Sequence, residues 1–563
     1  MPSRRKGDLS AVAKAEILSP EMLLVARGQA LHLVETSNGM RANNGECIYG
    51  VPGSKVAAGK STVVSELGRS GRLSETENRV GSQKATKRDG LPEVGSVHSS
   101  TVRETGDEGT DTRTMGEGRT VPDSAAGDTW VKLALITGHA RQDPTFRFTC
   151  MYHLLNKGFL RANFLLLDKH KAVGIDGITW EEYAGNLEEN LTRLESELMR
   201  RVYKPKPSRR VYIPKNEHEQ RPLGISAIES KIVESSVKQL LESIYEVDFL
   251  PCSYGFRPER GCHDALEALY QTITYKPVNY VVEADIKGFF DNVPHERLMD
   301  FLKIRIGDTS LLELIGKFLK AGYVDKGKWN ETEQGTPQGS IMSPMLSNIF
   351  LHYTLDKWFE ETVRRHIRGY ARLIRYADDF VVAVQYQEDA YKIEKAIKNR
   401  FAKYGLQIHP TKSRCISFGR FERTNAERSG RKANTFDFLG FTHYCDKTRK
   451  GKFKVGRKTQ KKKFVKACKA IHTWLKAIRN MVEAKEWWPI LAAKMSGHYN
   501  YYGIRGNCRG IWRFYMVTKQ KVFYWLNRRS QKRSMFYAEY EQYLKSFPLP
   551  KPEIIHDRHA MAM

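Results

Sequence analysis

The amino-acid sequence predicts an α+β fold in which antiparallel strands form a central sheet and a helical part follows. In the middle of the chain, apolar runs at 373–376 and 380–384 are separated by a tight polar turn, which is typical of an antiparallel hairpin. After residue 447, apolar residues recur at helical spacing instead, as at Ile471 and Leu475. A chain of 563 residues is long enough for two or three domains.

The first 140 residues differ in composition from the rest of the chain. Tyr49 and Trp130 are their only aromatic residues, and Gly, Ser and Thr are frequent from about residue 65 onward. So little apolar area cannot offset the entropy of ordering, which predicts a disordered extension over 1–140. Gly53–Ser61 is similar to a phosphate-binding loop, but it has five residues between its glycines where that motif requires four.

The positive charge of the chain is concentrated towards its C-terminus. The net charge is +28, and residues 447–533 contain 25 Lys or Arg against two acids, Glu483 and Glu486. An excess of this size predicts a polyanionic partner, most often nucleic acid, with an anionic membrane surface as the alternative. We expect the aromatic residues of this segment mostly to form its own core, with Lys and Arg facing phosphates.

The sequence carries no signal for export or membrane insertion. It has no apolar run of about 18 residues, so no membrane span is predicted. Basic residues open the chain but no apolar signal core follows them, which predicts that the protein is not secreted. Its eight cysteines form no CxxC pair, which argues against a zinc site or a disulfide framework.

A second predicted hairpin spans residues 209–225. Arg209–Lys215 alternates as a strand does, a polar turn follows, and Arg221–Ile225 forms the second arm. This arrangement would place the side chains of Lys215 and Arg221 near each other, and two fixed cations suit a triphosphate. A solvated basic hairpin is the alternative.

Three aspartates stand at the ends of predicted strands. Residues 279–286 form an apolar strand with Asp285 near its end, and Asp378 and Asp379 lie at the tip of the 373–384 hairpin. Adjacent like charges between apolar strands are costly unless a cation neutralises them. Three clustered carboxylates suit two Mg²⁺ ions about 4 Å apart, as in nucleotidyl transfer. For the Asp378–Asp379 pair alone, an acidic surface turn is the alternative.

These residues belong to a series of motifs that closely resembles the reverse transcriptases encoded by group II introns, which are also maturases. The resemblance extends from about residue 150 to 556, and the motifs follow the family's order. They are Ala172–Gly177, Ile213–Lys215 with Arg221–Gly224, Ser253–Pro258, Asp285 with Phe290, Gln334–Gly339 with Ser343–Pro344, Tyr376–Asp379, Leu406–Lys412 and Phe438–Phe441, then the maturase-like Gly497–Ile504 and Leu526–Gln531. Each motif alone is weak evidence, whereas the ordered series is strong.

The resemblance implies a role for each matching residue. Asp285, Asp378 and Asp379 would bind two Mg²⁺ ions, assisted by the carbonyl of Ile286. The nucleotide-binding residues would be Lys215, Arg221, Phe290, Gln338 and Lys412, and the primer grip would be Phe438, Leu439 and Gly440. Phe290 would exclude ribonucleotides by a clash with their 2′-hydroxyl, with simple core packing as the alternative. Lys412 would protonate the leaving pyrophosphate.

The resemblance also implies a right-hand polymerase. Fingers and palm would occupy 141–446, with the antiparallel sheet in the palm, and a basic, all-helical thumb or maturase domain would follow over 447–545, with a C-terminal tail over 546–563. The RNA-binding residues would be Lys461, Lys462, Lys463, Arg505, Arg528 and Arg529. Many relatives carry a C-terminal DNA endonuclease with paired Cys and His ligands, and this sequence is expected to lack that domain.

The implied function is an RNA-directed DNA polymerase that copies intron RNA and binds that RNA to assist splicing and mobility. Its partners would be intron RNA, a DNA target or primer and dNTPs, with no membrane; a homodimer remains open. The expected location is the bacterial cytoplasm, in a nucleoprotein. The alternatives are a splicing-only maturase and a standalone cellular or defence reverse transcriptase. The three aspartates favour an active polymerase, and the maturase-like motifs after residue 447 argue against a standalone enzyme.

Overall fold

The computed structural model describes residues 124–214, 219–410, 413–529 and 535–556. The predictions made for residues 1–123, including the Gly53–Ser61 loop, lie outside the described residues. Lys215 and Lys412 lie outside them as well.

Helices and strands are mixed along most of the described chain. The α-helices are α1 (Ser124–Gln142), α2 (Lys157–Leu165), α3 (Trp180–Gly185), α4 (Leu187–Met199), α5 (Ile228–Asp248), α6 (Cys262–Tyr275), α7 (Phe289–Asn292), α8 (His295–Arg305), α9 (Thr309–Leu319), α10 (Ser343–Leu351), α11 (Lys357–Glu361), α12 (Gln387–Lys403), α13 (Glu422–Arg428), α14 (Lys461–Ile478), α15 (Ala484–Tyr502), α16 (Cys508–Leu526) and α17 (Tyr537–Ser546). The strands are β1 (Ser208–Pro214), β2 (Gln220–Ile225), β3 (Tyr280–Asp285), β4 (Tyr323–Asp325), β5 (Lys328–Asn330), β6 (Ala371–Tyr376), β7 (Asp379–Val384), β8 (Arg414–Ser417), β9 (Thr435–Phe438), β10 (Phe441–Lys447) and β11 (Phe453–Thr459). A π-helical turn, His352–Asp356, connects α10 to α11.

Four antiparallel strands form the central sheet, in the order β6-β7-β3-β8. Successive side chains of a strand point to opposite faces, and both faces of this sheet are buried. On β7, Val382 packs into one hydrophobic core and Val381 into a second core on the other face. Burial on two sides explains why these strands are continuous apolar runs, and the predicted 373–384 hairpin is confirmed.

The first core joins the central sheet to the helices that precede it. Its longest helix, α5, buries Leu240, Leu241 and Ile244 completely and packs against α1, α2 and α10. The sheet is therefore supported by helices that come both before and after β3 in the sequence.

Helix α1 shows that the predicted disordered extension over 1–140 is wrong for residues 124–140. Thr129, Leu133 and Ala140 are buried, and Ile136 packs against the first core. These four residues are spaced by four, three and four positions, which places them along one face of a helix. Few and small apolar residues suffice here because α5 already provides the opposing surface.

Two smaller sheets accompany the central one. Strands β2-β1-β4-β5 form one sheet, in which β1 and β2 are an antiparallel hairpin and β1 and β4 are parallel. The predicted hairpin at 209–225 is therefore present. Strands β11-β10-β9 form the other, entirely antiparallel sheet.

The basic C-terminal segment is helical only from Lys461 onward. The predicted helical domain over 447–545 is wrong for residues 453–459, which form β11 and pair with β10 along its whole length. Helices α14 to α17 have a core of their own that is rich in aromatic residues. Its aromatic members include Trp487, Trp488, Tyr499, Phe514, Trp525 and Tyr540. The prediction that the aromatic residues of 447–533 mostly form a core of that segment is thus confirmed.

The described chain has the mixed helix and sheet content that the sequence predicts. Among the described residues, no helix is both long enough and apolar enough to cross a bilayer. The assignment of these elements to fingers, palm and thumb, and the boundaries of those domains, stay predictions.

Candidate active site at the tip of the central sheet

The tip of the central sheet brings the three predicted metal-binding aspartates together. In the β6–β7 hairpin, Tyr376 pairs with Asp379, so Ala377 and Asp378 form a two-residue turn. Ala377 has a φ of 55°, in the left-handed region that residues other than Gly rarely adopt. On the neighbouring strand β3, Asp285 pairs directly with Asp379. The order of the strands thus aligns carboxylates that are almost a hundred residues apart in sequence.

Burial and repulsion between like charges raise the pKa of two carboxylates at this tip, Asp378 and Asp379. Burial raises the pKa of Asp378, and the charge of Asp285 adds to the rise, while Arg221 and Arg375 oppose it. Burial, followed by repulsion from Asp378 and Asp285, raises the pKa of Asp379 to about 7. Like charges that raise one another's pKa in a buried cluster are typical of sites that take up cations.

The donor atoms at the tip fit Mg²⁺ in their chemistry, because Mg²⁺ prefers carboxylate and carbonyl oxygens. Ile286 directly follows Asp285, and hydrogen bonds to Gln407 and His409 fix the backbone on both sides of it. In the described parts of the chain, no three His, Cys, Asp or Glu side chains come together tightly enough to hold an ion as they stand. Joint coordination therefore requires a change of rotamer in the aspartates.

Arg375 supports the tip from beneath and is a residue that sequence reasoning missed. Its guanidinium donates to Asp356 at 2.8 and 2.5 Å, to Asn348 at 2.9 Å, to Ser253 at 2.7 Å and to the carbonyl of Ala377 at 3.0 Å. The signal in the sequence is an arginine between the apolar residues Ile374 and Tyr376 of β6, which predicts a buried partner but does not say which one.

The β1–β2 hairpin brings Arg221 to the carboxylates. Arg221 pairs with Ile213 across the hairpin, close to its turn. The charge of Arg221 lowers the pKa of Asp378, so the guanidinium of this residue lies near the tip, on the side of the β2-β1-β4-β5 sheet. Arg221 is therefore within electrostatic range of Asp378, while its predicted neighbour Lys215 is outside the described residues.

The loop that contains Gln338 lies between this hairpin and Phe290. The carbonyl of Gln338 accepts a hydrogen bond of 2.6 Å from the N–H of Gly224, and the N–H of Thr336 donates to the carbonyl of Phe290 at 2.7 Å. Phe290 is half-buried, with its ring 5.5 Å from that of Phe289 in an edge-on arrangement. The predicted nucleotide-binding residues Arg221, Gln338 and Phe290 thus belong to elements that contact one another.

Glu234 on α5 holds the far end of this loop and was also missed from the sequence. Its carboxylate accepts hydrogen bonds from the N–H of Ile341 at 2.7 Å and the hydroxyl of Ser226 at 2.9 Å. Burial raises the pKa of Glu234, and the hydrogen bonds act in the opposite direction. A single carboxylate therefore joins α5 to both the loop and the end of β2.

The predicted primer grip is the turn between β9 and β10. Phe438 is buried, whereas Leu439 and Gly440 have φ values of 46° and 77°. The backbone N–H of Leu439 opposes the rise in the pKa of Asp379, and the carbonyl of Leu439 accepts a hydrogen bond of 2.9 Å from the hydroxyl of Tyr501. The turn therefore lies directly beside the carboxylate cluster.

The predicted RNA-binding residues fall in different parts of the C-terminal segment. Lys461 and Lys462 are exposed in the first turn of α14. Burial and the cations Lys466 and Arg221 lower the pKa of Lys463, whereas Asp379 opposes this effect, so Lys463 is close to the tip.

The three predicted arginines are exposed and lie elsewhere. Arg505 follows α15, whereas Arg528 and Arg529 follow α16. The guanidinium of Arg528 stacks on the ring of Tyr524 at 4.5 Å. The structure thus separates the lysines at the start of α14 from Arg528 and Arg529, which come at the end of another helix.

Comparison with known proteins agrees with this site. Residues 213–443 match the model of the family described as "Reverse transcriptase (RNA-dependent DNA polymerase)". The "Group II intron-encoded protein LtrA" of Lactococcus lactis subsp. cremoris is 38% identical over 228 residues, which are 40% of this chain and 38% of that protein. "Protein YkfC" of Escherichia coli K12 is 38% identical over 206 residues, or 36% and 53% of the two chains.

A similar match comes from a yeast intron protein. The "Putative COX1/OXI3 intron 2 protein" of Saccharomyces cerevisiae is 40% identical over 172 residues, or 30% of this chain and 20% of that protein. The chain thus aligns with between one fifth and about half of the length of these relatives. The matched residues include Arg221, Asp285, Gln338, Asp378 and Asp379. Residues 213–443 therefore match the reverse transcriptase family, and this part of the chain is similar to group II intron-encoded proteins.

Proposed function

We propose that the protein is an RNA-directed DNA polymerase that uses two metal ions at the tip of the central sheet. The observation that carries this proposal is the direct pairing of Asp285 with Asp379, with Asp378 in the adjoining turn. Buried carboxylates in this arrangement are costly without cations, and the neighbouring cation Arg221 comes from an element suited to bind phosphate. In this proposal the central sheet is the palm, and helices α14 to α17 form the thumb.

The residues at the tip divide the task of nucleotide addition. Asp285, Asp378 and Asp379, with the carbonyl of Ile286, would hold two Mg²⁺ ions, which supply charge neutralisation and activation of the primer 3′-hydroxyl. Arg221 would bind the triphosphate. Gln338, Phe290 and the 438–440 turn would then set the position of the base, the sugar and the primer end.

The substrate class follows from discrimination at the sugar. Phe290 is half-buried, its backbone carbonyl accepts a hydrogen bond from Thr336, and its ring packs edge-on against that of Phe289. A fixed ring beside the sugar would clash with a 2′-hydroxyl and admit a deoxynucleotide. The proposed substrates are therefore dNTPs, with RNA as the template.

The template is proposed to be intron RNA. Three lysines occupy the first turn of α14, where the helix dipole disfavours cations, and no acid is present in that turn to offset them. Binding of a phosphate backbone would remove this cost. The names of two relatives, an intron-encoded protein and an intron 2 protein, support an intron RNA as the partner.

Primer extension on an RNA template with Mg²⁺ and dNTPs tests the polymerase. We expect template-dependent DNA synthesis by the parent chain, and a loss of roughly 10³-fold or more in Asp378→Asn, because charge stabilisation at the reacting group is the largest catalytic contribution. Asp300→Asn is the matched control, since Asp300 is an exposed aspartate paired only with Lys303 at 3.5 Å. A folded parent chain that incorporates no dNTP would refute the proposal.

A role in splicing is the second candidate function, and the basic segment favours it. Residues 447–533 carry 25 Lys or Arg against two acids, an excess that suits the binding of a large structured RNA. Adding the protein to a self-splicing group II intron at low Mg²⁺ tests this role. Faster splicing would support it, and an unchanged rate would argue against it.

A further inference from the structure

Tyr501, the penultimate residue of α15, reaches from the helical segment to the β9–β10 turn. Its hydroxyl donates a hydrogen bond of 2.9 Å to the carbonyl of Leu439. Its ring stacks with that of Phe441 at 5.9 Å, and a side chain added at Gly440 would come within 3.6 Å of the same ring. The last turn of α15 therefore covers the turn and contacts it through both an aromatic face and a hydroxyl.

The turn needs such support because its backbone is in an unfavourable conformation. Leu439 has a φ of 46°, which costs energy for a residue with a branched side chain. Conformations of this kind persist only where the surrounding structure holds them. The other support is the hydrogen bond of 3.0 Å from the N–H of Gln460 to the carbonyl of Gly440.

The backbone N–H of Leu439 acts on the carboxylate cluster. Strands β7 and β9, which carry Asp379 and Phe438, contact one another, and the N–H of Leu439 opposes the rise in the pKa of Asp379. A single residue in a strained turn thus lies between α15, which it contacts through its carbonyl, and one of the three aspartates. A rotation of this turn would therefore change both the hydrogen bond to Tyr501 and the surroundings of Asp379.

We propose that Tyr501 is a positioning residue of the nucleotide-transfer site: its hydroxyl fixes the 438–440 turn, and the turn orients Asp379 and the primer end. The proposal rests on the polymerase function proposed above. It makes α15 the connection through which the basic helical segment acts on the chemistry, without any contact between Tyr501 and the substrate.

Tyr501 is itself held in place by contacts with two residues of α6. Its carbonyl is 2.9 Å from Nε2 of His263, and its hydroxyl also interacts with the thiol of Cys262. Tyr499, two residues earlier in α15, offers a direct contrast. It is buried too, but its hydroxyl makes no hydrogen bond with any described residue. Removing the hydroxyl at position 501 therefore breaks a hydrogen bond to the 438–440 turn, whereas removing it at position 499 breaks no hydrogen bond among the described residues.

Tyr501→Phe tests the proposal, with Tyr499→Phe as the matched control. Both changes remove one hydroxyl from the same helix and keep the ring. We expect Tyr501→Phe to lower kcat for dNTP incorporation about three- to tenfold, which corresponds to the loss of one ordinary hydrogen bond. We also expect it to raise the Mg²⁺ concentration needed for half-maximal activity. The melting temperature and the KM for dNTP should stay close to those of the parent chain, and Tyr499→Phe should behave like the parent chain.

Amide hydrogen exchange provides a readout that does not depend on activity. Peptides that cover residues 436–441 should exchange faster in Tyr501→Phe than in Tyr499→Phe, because the turn loses the hydrogen bond from the hydroxyl of Tyr501. Unchanged exchange together with an unchanged Mg²⁺ requirement would overturn the proposal. An equal loss of kcat in both variants would overturn it as well, since that pattern indicates general weakening of α15. A parent chain without polymerase activity would instead refute the proposed function, and the exchange measurement would still decide whether Tyr501 holds the turn.

Discussion

Arg375 and Asp356 form an ion pair in which both side chains are completely buried. The pair is bidentate, with one hydrogen bond from Nε and one from Nη2 of the guanidinium to the two carboxylate oxygens. Arg375 also donates to the carbonyl of Ala377, which belongs to the turn that carries Asp378. A rigid, dry ion pair therefore fixes the base of the hairpin on whose tip the proposed chemistry depends.

Breaking this ion pair should reduce both stability and activity. Asp356→Asn leaves a buried guanidinium without its counter-charge, so we expect a loss of about 3–5 kcal/mol in the free energy of unfolding. Arg375→Lys keeps the charge but cannot form the bidentate pair and the bond to Ala377 together, so dNTP incorporation should fall more than binding of primer–template. Chemical denaturation and primer extension measure the two effects.

Arg423→Lys is the control for these changes, because Arg423 forms an exposed pair with Glu427 on α13. Exposed pairs of this kind contribute about 0–1 kcal/mol, so this variant should match the parent chain in both assays. Parent-like activity in a folded Arg375→Lys variant would show that the hairpin tip does not need this support.

Mg²⁺ should stabilise the protein through the carboxylate cluster. Asp378→Asn removes a buried charge that its neighbours repel, so we expect a higher melting temperature than that of the parent chain when divalent ions are chelated. Adding Mg²⁺ should raise the melting temperature of the parent chain and have a much smaller effect on the variant. Thermal melting with EDTA and with Mg²⁺ measures both effects, and equal Mg²⁺ shifts in the two proteins would place the metal elsewhere.

The sequence predicts the strands and the aspartates of this site because their signals are local. An apolar run that ends on an acid, or two runs around a short turn, can be recognised within about ten residues, as for Asp285 and Asp378. The support of the site is not local. Arg375 meets Asp356 and Ser253, which are 19 and 122 residues away, and only the tertiary structure brings them together. Tyr501 and Leu439 are separated by 62 residues in the same way.

The two errors in the predicted boundaries have a related cause. Composition averaged over 1–140 hides α1, whose buried face needs only Thr129, Leu133, Ile136 and Ala140 once α5 lies opposite. Positive charge averaged over 447–545 likewise hides β11, whose exposed Lys458 is compatible with an edge strand. In both regions a partner surface decides the local structure, and composition does not reveal that partner.

Removing the ring of Phe290 should relax selection against ribonucleotides. We expect Phe290→Ala to raise the relative kcat/KM for rNTP over dNTP by roughly 10–100-fold, because steric exclusion from a pocket accounts for discrimination of this size. Phe290→Tyr, which keeps the ring, should retain the selectivity of the parent chain. Single-nucleotide incorporation with each substrate measures the ratio. Unchanged selectivity in Phe290→Ala would leave Phe290 as a packing residue only.

The first turn of α14 should contribute to RNA binding through phosphate contacts. The Lys461→Gln, Lys462→Gln double variant should bind RNA more weakly. The slope of its log Kd against the log of the salt concentration should be smaller than that of the parent chain by about 1.4–1.8, which is 0.7–0.9 for each lost phosphate contact. Lys392→Gln with Lys395→Gln on α12 is the control, since both lysines are exposed and lie outside the basic segment. Filter binding across a salt series measures the slopes, and equal slopes in all three proteins would exclude these lysines from the RNA interface.

Acid should destabilise the helical segment through His498. Burial lowers the pKa of His498 to about 3, and its ring stacks on that of Phe514 at 3.7 Å with Nε2 lacking any hydrogen-bond partner among the described residues. The unfolded chain binds a proton at His498 below a pH of about 6.5, whereas the folded chain does so only near pH 3, so stability is present at pH 7 and is lost as the pH falls between these values. At pH 5 this single group should cost about 2 kcal/mol of unfolding free energy.

His498→Phe keeps an aromatic ring on Phe514 but cannot titrate, so its stability should fall less than that of the parent chain between pH 7 and pH 5. Denaturant unfolding at the two pH values measures the difference, and an equal fall in the two proteins would mean that other groups cause the acid sensitivity.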